Sequence, residues 1–197
     1  MFFAMDHMSS MTNSAVSTLV PIVKNLNLLA FIVSIGLAIA IAFFATEDKG
    51  FFSAESLRIK KLLQLSILVW IVTLVGSIFT ELANILNESL ASAFDSQVLR
   101  SFLEQTTIGR TFLAQLFFGL IAALIASQSK KVGAIYWVFG LIMVSAILPV
   151  FQSHSSGLSN HSITIGSLIF HVIFVSIWVG GVLGLIVVSP VTRAISL

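Results

Sequence analysis

Five long apolar runs, 28–45, 62–80, 108–126, 132–150 and 163–188, dominate this chain. Each approaches or exceeds the roughly 20 residues that cross a bilayer as a helix, a form that satisfies its own backbone hydrogen bonds in hydrocarbon. Runs of this kind leave few other fates open. The rest of the composition agrees: of 197 residues 57% are hydrophobic and 9% charged, where an ordinary soluble domain carries about 25% charged residues. Mean hydropathy is +1.07. The expected fold is all-α, a polytopic transmembrane helix bundle of about five spans. It forms one membrane domain over 1–197, with lipid as its main surroundings.

Charge placement carries more than charge number. The net charge of +2 gives no reason to expect a nucleic-acid partner. Arg58, Lys60 and Lys61 lie between the first two runs, and Lys130 and Lys131 between the third and fourth. Lys/Arg-rich short loops stay in the cytoplasm. The N-terminus is therefore expected outside and the C-terminus inside. That orientation gathers His7, His154 and His161 on the outer side. There is no cysteine, which excludes disulfides, thiolate metal sites and thiol catalysis.

Between the runs, 1–27 reads as a polar lead. His7 stands there among Met5, Met8 and Met11, residue types that suit copper; a disordered terminus is the plainer reading. The stretch 51–61 is expected at the membrane interface, with its basic residues facing headgroups. Residues 81–105 are too polar to span. Their apolar positions recur at helical spacing, so a partly helical surface segment is expected, resting on the bundle. Arg110, at the outer start of the third run, snorkels to headgroups, orders the outer loop, or pairs with Glu81 or Glu104.

The stretch 151–189 holds the most chemistry. It opens as a polar loop with His154 and His161 and continues as an apolar run that contains one ionisable residue, His171. His171 and Trp178 share a helix face, about 10 Å apart along the axis. An ionisable side chain at membrane depth usually faces protein or water and has a task; the plainer alternative is a neutral imidazole hydrogen-bonded to a neighbouring helix. Imidazoles near one membrane face, with methionine nearby and no thiolate, fit copper. Helix between His161 and His171 would separate them by about 15 Å, so they read as successive stations: weak, multi-site binding is what conduction needs. The short loop makes the fourth and fifth runs antiparallel neighbours. Met143 then falls about 9 Å, and His171 about 13 Å, below the outer ends of their spans. Met143 is thus expected as a partner of His171, against its plainer reading as core filler. Gly180 and Gly184 form a small-xxx-small face for close helix packing. No hydrolytic constellation or nucleotide loop occurs, so no enzyme is expected.

Taken together, His171-x6-Trp178-Val179-Gly180-Gly181-Val182-Leu183, preceded by Ser153-His154-Ser155 and Asn160-His161, resemble the copper resistance protein D family. Thr107-Ile108-Gly109-Arg110 leading into a span is similar to that family's Thr-x-Gly-Arg element. The resemblance covers 105–197; the first two runs match in hydrophobic character alone. It implies a multi-pass protein of the bacterial plasma membrane that transports or delivers copper, with a periplasmic copper carrier as partner. In some bacteria such a domain is fused to an assembly protein for cytochrome c oxidase. The positions it points to are His154, His161 and His171. The chain stops at Leu197, where family members continue with more helices, so a short form, a fragment or half of an assembly is expected. Two other classes stay open. One is a b-type haem redox protein, against which only His171 lies deep. The other is a metal-free assembly or scaffold subunit.

Overall fold

The computed structural model describes residues 2–44, 47–48, 50–151 and 161–193, with side chains over 15–43, 50–53, 56–151 and 165–186. The chain runs α1 (Phe2–Phe44), β1 (Glu47–Asp48), β2 (Phe51–Phe52), α2 (Ala54–Leu86), a 3₁₀ turn (Leu90–Phe94), α3 (Ser96–Gln105), α4 (Thr107–Gln128), α5 (Ala134–Ile147), a 3₁₀ turn (Leu148–Phe151) and α6 (His161–Arg193). Among the described residues five helices are long and apolar enough to cross a membrane: Ala15–Phe43, Ser56–Leu86, Thr107–Gln128, Ala134–Phe151 and Ile165–Ile186. The protein is an all-α transmembrane bundle, as the apolar runs predict.

The helix ends follow local chemistry. Ser53 caps α2, its hydroxyl accepting from Ser56 N at 3.3 Å. Asn87 closes it in the left-handed region (φ 55°), where Asn is tolerated better than most residues. Asp95 caps α3 by accepting from Gln97 N (2.8 Å) and Val98 N (3.1 Å). At the opposite end of the bundle, β1 and β2 form a two-residue antiparallel ladder. It is laced to the α4–α5 turn by Phe52 N to Lys130 O (3.2 Å) and Val132 N to Gly50 O (3.1 Å). The basic residues of both turns therefore share one end.

Two expectations are corrected. The polar lead is not a disordered terminus: α1 begins at Phe2 and continues through Pro21. Its residues Val16 and Val20 are buried against Ile78 and Leu82 of α2, which gives the segment a hydrophobic reason to stay helical. Residues 54–61 are not a separate interfacial piece but the first two turns of α2.

The main core lies between α1, α2, α4 and α5, around Ile35, Ile41, Leu63, Ile67, Trp70, Val138 and Ile142. Polar links cross three of its interfaces. Ser34 Oγ donates to Ser66 Oγ (α1–α2, 3.0 Å), Gln64 Nε2 to Ala126 O (α2–α4, 2.8 Å) and Gln115 Nε2 to Ser145 O (α4–α5, 3.0 Å). In hydrocarbon such bonds add to the dispersion packing that holds helices together. α6 seats on α1 through glycines: backbone of Gly180 and Gly184 meets backbone of Gly36. The small-residue face is thus a packing face, and α1 is its close partner.

Candidate functional site

All five spans meet around one partly open cavity of about 390 Å³. It lies beside the 3₁₀ turn at the end of α5. Phe31 and Trp70 line it, rings 5.5 Å apart and tilted. Pro149 and Val150 of the 3₁₀ turn border it, and Leu168, Val172 and Ser176 of α6 supply a third wall. The α6 residues recur every four positions, so one ridge of the helix faces the space. The same ridge continues into Gly180 and Gly184, where contact with α1 closes it.

Three polar side chains line this otherwise apolar space: Asn27, Gln115 and Ser176. Asn27 Nδ2 donates to Trp70 O and to Thr73 Oγ1, both at 3.1 Å. Gln115 Nε2 donates to Ser145 O. With the amide groups fixed by these bonds, the side-chain carbonyl oxygens of Asn27 and Gln115 have no hydrogen-bond partner among the described residues. They and the Ser176 hydroxyl are oxygen ligands, suited to water or a hydrated ion rather than to tight copper ligation.

Of the candidate ligands singled out from the sequence, side chains are described for Met143 and His171. His154 lies outside the described residues. His161 opens α6, and His7 lies within α1; the side chains of both are likewise outside the description. Met143 is buried at 8% exposure in the main core. It stands one turn from the cavity-lining Ala146 on the same face of α5. His171 falls between two lining residues, Leu168 and Val172, but on the exposed side of α6. Phe170, Phe174 and Trp178 are exposed there too. Met143 and His171 thus sit in unlike surroundings, one packed in the core and one on the bundle surface. Among the described residues no three His, Asp or Glu side chains come together as a metal-binding group.

The Thr-x-Gly-Arg element, Thr107 to Arg110, forms with the preceding Thr106 a joint between α3 and α4. Thr106 Oγ1 accepts from Gly109 N (2.9 Å) and donates to Phe102 O (2.7 Å). Gly109 has no Cβ to obstruct the Phe102 carbonyl, which lies 2.1 Å from where a Cβ would sit. Arg110 Nη2 donates to Gln105 O at 3.3 Å, so it orders the loop. It does not pair with the expected carboxylates: Glu81 pairs with Lys24 (2.8 Å) and Glu104 with Arg100 (3.0 Å).

Sequence reasoning passed over the three polar lining residues. Their signal was present: Gln115 and Ser176 interrupt apolar runs, and Asn27 lies inside the first span once the whole helix is seen. Residues 11–162 match the family described as Copper resistance protein D-like, N-terminal domain. The match takes in four of the five spans, including the first two. No curated protein and no solved structure matches the chain.

Proposed function

The chain belongs to the copper resistance protein D-like family, and from that premise we propose that it transports or delivers copper across the bacterial plasma membrane. The family match over 11–162 carries this reading. The proposal puts the cargo in the cavity. In the proposal His154 and His161 receive copper on the outer side, in a loop without formal charge, from a periplasmic carrier protein. On this reading copper then passes beside Pro149 into the cavity, one turn of α5 from the soft-leaning Met143, while His171, exposed on α6, is a separate station outside it. The oxygen-lined space binds it only weakly, which permits release. A link to cytochrome c oxidase assembly belongs to the same proposal.

The test is copper binding and copper accumulation by membrane vesicles, with His154→Ala/His161→Ala and Ser176→Phe beside the native protein. The loop variant is expected to lose copper binding at the outer face while staying in the membrane. Ser176→Phe is expected to keep binding and lose accumulation, because a ring at that position fills the cavity. Unchanged copper binding in the loop variant would refute the entry site, and a Soret band in purified protein would move the reading to haem.

A further inference from the structure

The opposite end of the bundle carries a second feature, which the copper reading does not use. A pocket of about 370 Å³ is lined by Leu57, Arg58, Lys60, Lys61 and Gln64. These positions recur at three- and four-residue spacing, so the first turns of α2 present three cations together. Arg58 and Lys61 are exposed. Lys60 is not: its residue exposure is 7%. Its ammonium donates to Ser129 O and lies 5.3 Å from the centre of the Phe52 ring. Among the described residues no carboxylate pairs with Arg58, Lys60 or Lys61. A buried cation without an anion is costly, and here it borders an open pocket beside two more cations. The lacing of the two turns adds Lys130 and Lys131 to the same end.

We propose that this pocket holds the phosphate of an anionic phospholipid headgroup. Arg58 offers the forked donor geometry that matches phosphate oxygens, and the lysines add point charges. What favours a lipid over a free phosphate is the surface next to the pocket. Leu57, Leu65, Leu68 and Val72 are all exposed on α2 and run from the pocket into the span, a path for acyl chains. Basic pockets at the cytoplasmic side of helix bundles bind anionic headgroups in this way.

The experiment compares thermal unfolding in nanodiscs of phosphatidylcholine with and without phosphatidylglycerol. Native protein is expected to gain roughly 2–4 °C from the anionic lipid. Arg58→Gln/Lys61→Gln should match the native midpoint in phosphatidylcholine, since both side chains are exposed, and should lose the gain. Lys130→Gln/Lys131→Gln removes equal charge from residues that do not line the pocket and should keep most of it. Equal losses in the two variants would mean diffuse surface charge and overturn the pocket. No gain in native protein would overturn the proposal, as would an equal gain from inorganic phosphate in phosphatidylcholine discs, which would make the ligand a soluble anion.

Discussion

Gly36 shows how much one missing methyl group decides. A Cβ built there would lie 1.9 Å from Gly180 O and 2.9 Å from Gly184 N. At Gly184 it would meet Gly36 O at 2.2 Å, whereas at Gly181 nothing lies within 4 Å. Backbone cannot yield as a flexible side chain does, so α6 would have to leave α1. Gly36→Ala and Gly184→Ala should therefore each cost about 1–3 kcal/mol or more, and Gly181→Ala little. Unfolding in detergent or bilayer measures this; equal midpoints for Gly36→Ala and Gly181→Ala would refute the close crossing. Gly180 and Gly184 announce themselves by spacing. Gly36 does not, because it lies among Ser34, Ala38 and Ala40, and nothing local tells which small residue receives another helix.

At the scale of elements, α3 depends on the joint at Gly109. It rests on the bundle through Phe102, buried at 4% exposure, and Phe79 stacks on Phe94 of the preceding 3₁₀ turn at 4.6 Å. Gly109→Ala would drive a methyl group into the Phe102 carbonyl and loosen α3 from α4. Amide exchange should then speed up across Ser96–Gln105 while α4 below Gln115 stays protected. Unchanged exchange in α3 would mean that the joint has slack. The surface helix itself was legible, since its apolar positions recur at helical spacing. The length of α1 was not. Lys24, Asn25 and Asn27 resemble the edge of a span until Lys24 is seen paired with Glu81 and Asn27 bonded to α2. Polarity in one segment was answered by a distant one.

Over the whole molecule, the two ends differ in chemistry. One gathers Arg58, Lys60, Lys61, Lys130 and Lys131; the other carries α3 and the 3₁₀ turn Leu148–Phe151. By the positive-inside rule we expect the first in the cytoplasm. With no native cysteine, Ser155→Cys and Ser129→Cys can be labelled with an impermeant maleimide: Ser155→Cys is expected to react from outside and Ser129→Cys only after the membrane is opened. The reverse pattern would turn the copper path around. The sequence by itself determined the all-α membrane class, the five spans and the copper family resemblance. Each rests on composition, on runs long enough to cross hydrocarbon, or on short motifs, all of which are local in the chain. Only the tertiary structure decided that α6 packs on α1, that Met143 is buried while His171 is exposed, and that Asn27, Gln115 and Ser176 meet in one cavity. In a bilayer every span is apolar on all sides, so hydrophobicity cannot say which face turns inward. That choice is made by small residues and single hydrogen bonds between helices far apart in sequence.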